Sequence, residues 1–277
     1  MKKIIIGDSG LDLNPGLREK LNIRLVPFFI NIGEKMYHDD GKLIIKNYLK
    51  EMKESKHVPK TAAPTPESFF NAMKDYDEAF IITISSELST TYNNALIAKE
   101  MMQEHNPNAK VHVFDSKSAV AGETAVAIKI QECIEQNMEF EDIVRTVDKY
   151  VNSIKTLFIL ENLDNLVKNG RMSKIAGKIA SALSINPICT GVNGKIEVLH
   201  KVRGMKSAIN KLVSIIGTEA NSLADKVLVI SHINCIQRAL DIKNKIQELY
   251  KFKTIEITEA GGLSSTYAND GGIVIAF

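Results

Sequence analysis

Short aliphatic runs alternate along the chain with longer runs whose apolar positions recur every three or four residues. The first kind predicts buried strands and the second amphipathic helices. Strands are expected at "KKIIIGDS", "IRLVPFFI", "EAFIITIS" and "KVHVFDS". Helices are expected at "NPGLREKLN", "IIKNYLKEMKES", "TPESFFNAMKDY", "STTYNNALIAKEMMQEH", "AVAIKIQECIEQN" and "EFEDIVRTVDKYVNSI". Two of these carry start signals: Asn14 before Pro15, and Thr65 before Pro66. Pro27 marks its strand as an edge or a bulge. The first half is a β-α-β-α series, which implies an α/β fold with a largely parallel sheet covered by helices on both faces.

The second half changes character. "TLFILEN" predicts a strand, and "LDNLVKNG" and "SKIAGKIASAL" predict short helices broken by "NGRMS". "INPICTG" and "GKIEVLHKV" predict a hairpin around Asn193-Gly194. A helix, the strand "KVLVISH", another helix, and the strands "KTIEIT" and "GIVIAF" follow. The expected division is one unit over residues 1–277, with approximate lobes 1–155 and 156–277. No Pro/Gly/Ser linker separates them, so the lobes are expected to pack tightly.

Composition narrows the function. Charged residues make up 25% and the net charge is +2, with the lysines scattered, so nucleic acid is not an expected partner. The three cysteines lie far apart without metal-ligand spacing, which argues against a disulfide framework or a metal site and fits a reducing cytoplasm. The first apolar run is too short for a signal-peptide core, and none approaches a membrane span of roughly 20 residues.

Ligands of parallel sheets sit at the carboxyl ends of the strands. "DSGLDL", "ISSELSTT" and "FDSKSA" fall there, with Asp-Ser twice, at Asp8-Ser9 and Asp115-Ser116. Asp and Ser also terminate strands and cap helices for purely structural reasons. Ser89, if its helix starts there, offers a hydroxyl beside unpaired amides and a positive helix dipole, a setting for a carboxylate or phosphate. Thr61 lies in "VPKTAAPTPE", a proline-stiffened loop that presents its hydroxyl in a fixed direction or merely connects two elements. Arg171 in "NGRMS", Arg203 after "IEVLHKV" and His232 in "VISH" are ordinary surface or structural residues unless a site gathers them. "AGGLSSTYANDGG", residues 260–272, reads as a flexible polar loop. P-loop, GxGxxG, GxSxG and HExxH patterns are missing from the sequence. The chain offers donors for an anion without an evident activated nucleophile, which favours binding over catalysis.

Taken in order, "DSGLDL", "VPFFI", "TAAPTPESF", "ISSELSTTYNNA", "FDSKSAVAG", "ENLDNLVKNGRMS", "INPICTGVNGKIEVLHKVRG" and "GGIVIAF" resemble the DegV family over nearly the whole chain. The resemblance implies a two-lobed fold, each lobe a largely parallel sheet, with a long-chain fatty acid such as palmitate in a tunnel between the lobes. It implies that Thr61 and Ser89 hold the carboxylate, with Arg171 and Arg203 near that end. It also implies a bacterial cytoplasmic lipid carrier that presents fatty acid to a separate fatty acid kinase, is not itself an enzyme, and needs no cofactor or metal. Two positions depart from the family pattern. Thr90 stands where glycine is common, and Tyr267 where histidine is common, with Asn269-Asp270-Gly271 following in place of Gly-Pro-Gly. These place Thr90 and Tyr267 at the head-group end or at a partner-docking surface. "KIAGKIASALSI" and "TLFILENL" are expected tunnel walls, with plain core packing as the competing reading. The alternative function is a phosphotransferase-like enzyme for a compact polar substrate, motivated by the Asp-Ser pairs and Arg171.

Overall fold

A computed structural model describes residues 1–173, 185–219 and 222–277. The expected helix "SKIAGKIASAL" and most of the expected wall "KIAGKIASALSI" lie outside the described residues.

The first sheet has the strand order β2-β1-β6-β7: Ile23–Val26, Lys3–Asp8, Glu78–Thr83 and Lys110–Asp115. All of its pairings are parallel. Its central strands β1 and β6 are buried along almost their whole length, as a strand covered on both faces requires. Helix α1, Pro15–Lys20, starts as expected: the Asn14 side chain accepts the Leu17 N–H at 2.8 Å with Pro15 in the first turn. Helix α3, Pro66–Met73, is capped by Thr65 in the same way. Helix α2 spans Ile45–Glu54 and α4 spans Thr91–His105.

The run "IRLVPFFI" is not one strand. It breaks at Pro27-Phe28 into β2 and β3, Phe29–Ile32, which belong to different sheets. Proline has no N–H to continue the ladder, and the chain leaves the first sheet there. β3 pairs antiparallel with β4, Lys35–His38, and with β5, Lys60–Ala62, in a small third sheet.

The second large sheet has the order β10-β9-β8-β13-β11-β12: Lys195–Arg203, Ile185–Val192, Thr156–Ile159, Ile273–Ala276, Val227–His232 and Thr254–Glu259. Here the expected parallel arrangement gives way. Only β11 and β12 pair parallel, and the other four pairings are antiparallel. The cause is local. Asn193 and Gly194, both at positive φ, fold β9 back on β10 as a tight hairpin, and β13 enters between β8 and β11 from the opposite direction.

Helix α5, Ala121–Glu135, lies between the two large sheets and packs on β1 and β6 of one and β11 and β13 of the other. It is buried on nearly every side, so its sequence is apolar all round rather than striped. One hydrophobic cluster runs through both lobes, from Ile5 and Phe80 to Phe158 and Val274. Helices α6, Phe140–Ser153, α7, Asp164–Lys168, α8, Met205–Glu219, and α9, Ile236–Leu249, complete the layers.

The expected polar loop at 260–272 is largely helix α10, Gly262–Ala268, and Leu263 through Thr266 are buried. Its small hydroxyl residues look solvent-facing in sequence, but their polarity is satisfied internally. Thr266 Oγ1 meets the Tyr48 hydroxyl at 2.6 Å, and Ser264 and Ser265 reach Gly10, Asp12 and Ala260. Among the described residues no helix is long and apolar enough to cross a membrane.

Candidate functional site

The carboxyl ends of β1, β6 and β7 point toward the second sheet, and a cavity lies between them. It holds about 890 Å³ of empty space, open solvent at its mouth included. The first lobe lines it with Gly10, Phe28, Ile84, Leu88 and the turn Lys117–Val120. The second lines it with Phe158, Leu160, Leu166, Ile196, Leu263 and Val274. The lining is mostly aliphatic and aromatic, with Ser118 and Thr156 as a mutually bonded hydroxyl pair across the lobes at 2.6 Å. "TLFILENL" supplies Thr156, Phe158 and Leu160, alternate residues of one face, as β8 requires.

Four polar residues singled out from the sequence meet at this cavity: Thr61, Ser89, Arg171 and Tyr267. Thr61 sits in β5 opposite Ile30 of β3, and its hydroxyl bonds the Tyr267 hydroxyl at 2.7 Å. Tyr267 comes from α10, so this bond joins the small sheet to the second lobe. The Arg171 guanidinium lies 5.7 Å from the centre of the Tyr267 ring. Its Nε donates to the Leu88 carbonyl at 3.1 Å and its Nη1 to the Asn169 carbonyl at 2.6 Å. Arg171 therefore ties the turn that carries Ser89 to the second lobe.

Ser89 does not begin its helix. Helix α4 starts at Thr91, and Ser89 precedes it by two residues with its Oγ accepting the Thr91 N–H at 3.3 Å. That bond leaves the Ser89 O–H to donate. The rest of the hydroxyl-rich segment shapes the turn. Ser85 donates to the Gly194 carbonyl at 2.8 Å, and Ser86 donates to Asp115. Thr90 is the N-cap residue but makes no side-chain cap bond, is exposed, and does not line the cavity.

Arg203 is not brought to this site. It is exposed at the far end of β10, about 26 Å along the strand from Lys195 at about 3.3 Å per residue. The hairpin's length separates two positions that the sequence alone cannot order in space. His232 is buried at the end of β11, where its Nδ1 accepts the Cys235 amide, a structural role.

The Asp-Ser pairs are also accounted for structurally. Asp115 holds Ser86 and the Lys117 amide, and Asp8 is fully buried, accepting two backbone amides. A second buried pair lies at the seam. Asp39 accepts the Gly262 and Leu263 amides at 2.7 and 2.8 Å, and Asp12 accepts the Gly261 amide at 2.7 Å. Burial pushes Asp12 up to about 8, against the Gly261 amide that stabilises its anion, with Asp39's charge adding to the rise. Burial likewise raises Asp39. Sequence reasoning missed Asp12, Asp39 and Glu123. For Glu123 a signal existed: one acid inside "AVAGETAVAI", a run otherwise apolar or small.

Comparison with known proteins is consistent with this geometry. The model for "uncharacterised protein, DegV family" matches residues 2–277. A DegV domain-containing protein of Streptococcus pyogenes serotype M1 is 34% identical over 276 residues, covering 99% of this chain and 98% of the relative. A DegV family protein from Ruminococcus gnavus, refined with vaccenic acid, superposes with a TM-score of 0.94 at 35% identity over 99% of each chain. The Streptococcus pneumoniae Fatty Acid Kinase (Fak) B3 protein, loaded with linoleic acid, gives a TM-score of 0.93 at 29% identity, covering 100% of this chain and 99% of that one.

Proposed function

The chain belongs to the DegV family, and from that premise we propose that it binds a long-chain fatty acid in the cavity between its lobes. One observation carries this: a mostly apolar cavity on which the Thr61, Ser89 and Tyr267 hydroxyls and the Arg171 guanidinium gather. The Ser89 O–H donates to the carboxylate. Thr61 and Tyr267, bonded to each other, exchange that bond for the ligand oxygens. Arg171, in no ion pair among the described residues, supplies positive charge. The tail takes the aliphatic wall. At about 0.8 kcal/mol per buried CH₂, a chain of about 16 carbons gains on the order of 10 kcal/mol before ordering costs. The related structures with vaccenic and linoleic acids support the ligand class.

The competing reading, an enzyme for a compact polar substrate, needs a polar pocket and a free acid or base in it. The cavity is mostly apolar, and the strand-end aspartates are engaged in backbone hydrogen bonds. We propose further that the protein hands its fatty acid to a separate kinase, a reading supported by the name of the pneumococcal relative. On this reading Tyr267, which lines the cavity and bonds Thr61, stands at the head-group end.

Mass spectrometry of organic extracts from the purified protein tests the ligand. Fatty acid should co-purify or bind on addition, and protein that neither carries nor takes up palmitate or oleate sinks the reading. Replacing both Ser89 and Thr61 with alanine should cost about 1–3 kcal/mol of binding per lost hydrogen bond. Unchanged affinity in that double variant moves the carboxylate elsewhere.

A further inference from the structure

Side chains supply the polar groups of the cavity, but its wall is held by something else. Three backbone positions of that wall, Gly10, Ile84 and Val120, follow the carboxyl ends of β1, β6 and β7. Their amides converge on two carboxyl groups that are fully buried. Asp8 accepts the Gly10 and Ile84 N–H groups, each at 2.9 Å. Glu123, in the first turn of α5, accepts the Val120 N–H at 3.2 Å. Both carboxyls crowd the same point beside Gly10, and two acids that close in a dry site favour one shared proton over two charges. Glu123 Oε2 is buried and receives no hydrogen bond among the described residues, which suits an acid better than an anion.

Two details show what the pair enforces. Val120 has φ 59° and ψ −117°, a conformation that glycine adopts freely and a β-branched residue avoids. The Glu123 bond holds that strained turn in place. Gly10 lies so close that a Cβ there would stand 2.7 Å from the Glu123 carboxyl and 3.0 Å from that of Asp8.

We propose that the Asp8–Glu123 pair, through the single proton it shares, positions the cavity wall and makes retention of the apolar ligand depend on pH. Loss of the proton sets two negative charges side by side in a dry site. The Val120 turn, already strained, is the contact least able to resist their separation, so the wall loosens and the ligand is held less tightly. The identity of the ligand rests on the fatty-acid reading above; the role of the pair rests on the hydrogen bonds.

The surroundings reinforce this. The other titratable groups acting on the pair are acidic: Asp12 raises Glu123, and Asp39 in turn acts on Asp12, where Arg18 opposes it. Of the elements packed on α5, β11 brings His232, which is engaged by the Cys235 amide and Glu259. β13 has no titratable side chain, β6 has Glu78 at its opposite end with Lys3, and the charged groups of α6 lie on its outer face. Burial pushes Asp8 up to about 6 against its two amides, and raises Glu123 well above the ordinary range, with the Asp8 charge adding.

The test is equilibrium binding of dodecanoate to the full chain from pH 7 to pH 10, where the free ligand is already ionised. Wild-type affinity should fall at least about fivefold across that range, the low end of typical site coupling. Glu123→Ala should weaken binding at pH 7. Glu123→Gln, whose amide accepts from Val120 and donates to Asp8 without titrating, should recover most of the affinity and remove the pH dependence. A pH-independent wild type, or a Gln variant that follows the wild type, overturns the proposal. Carboxyl ¹³C NMR of the wild type needs no variant. Bound ligand should raise the titration of the pair by the same factor by linkage, and titration unmoved by ligand overturns the proposal. Failure to bind at every pH overturns the ligand reading, whereas tight, pH-independent binding overturns only the role of the pair.

Discussion

The two large sheets meet the same cavity in different ways. The first is all parallel, so its strands β1, β6 and β7 end on one rim, and three turns far apart in sequence are delivered together. That rim supplies backbone amides, Ser89 and the buried carboxyls. The second sheet is mixed, and neighbouring antiparallel strands run in opposite directions. It has no comparable rim and offers a face instead: Phe158 on β8 and Val274 on β13, neighbours in register. Parallel strands concentrate polar turn chemistry, and the mixed sheet provides a smooth apolar wall. An amphipathic ligand needs both.

The contrast is open to attack from either side. Phe158→Ala strikes the wall and should have the largest effect, a loss of about 3–5 kcal/mol in urea unfolding, together with tolerance for bulkier acyl chains in competition binding. If the variant is as stable as the wild type, the wall is not a packed face. Raising the pH strikes the rim. Asp8 and Asp12 have native pKa values raised to about 6 and about 8 from the ordinary 3.8. A raised acid gives stability that is complete below its unfolded pKa and lost as pH climbs through the folded value. The urea midpoint should therefore drop between pH 5 and pH 9, by about 3 kcal/mol in unfolding free energy, since a tenfold difference in proton affinity is worth about 1.4 kcal/mol and buried groups relax. A midpoint that rises across that range contradicts this sign.

Asp39→Ala strikes the seam, because that carboxyl holds the first two amides of α10. Leaving them unpaired should cost about 2–3 kcal/mol and weaken ligand binding through displacement of Tyr267. Hydrogen exchange at Gly262 and Leu263 should accelerate, and unchanged protection counts against the anchoring role. The smallest effect is expected at the hairpin tip, where Lys195 pairs with Glu87 at 3.4 Å on the surface. Glu87→Gln should change stability by less than about 1 kcal/mol. A larger loss means that the hairpin, rather than α5, carries the contact between the lobes.

Much of this arrangement is legible along the chain. Asn14-Pro15 and Thr65-Pro66 mark helix starts because capping is chemistry between residues close in sequence. Asn193-Gly194 marks the hairpin for the same reason. Thr61, Ser89, Arg171 and Tyr267 stand out one by one in the sequence and converge on one cavity. Arg203 stands out with them and lies elsewhere, because strand direction and length decide which end of β10 reaches the cavity. The segment 260–272 looks like a loop in sequence and is a helix in space, because its serines and threonines find partners in other elements.

The sequence by itself determined most of the longer elements, two of the helix caps and the alternation that makes an α/β protein, since each follows from periodicity or from neighbours within a few residues. Tertiary structure alone decided that the second sheet is mixed, that α5 is shared by both lobes, and that Asp8 and Glu123 face each other across more than 100 residues of chain. A carboxyl reads as a surface charge until something buries it. Its protonation, and with it the hold on the cavity wall, depends on the low dielectric and the neighbouring anion that only packing supplies.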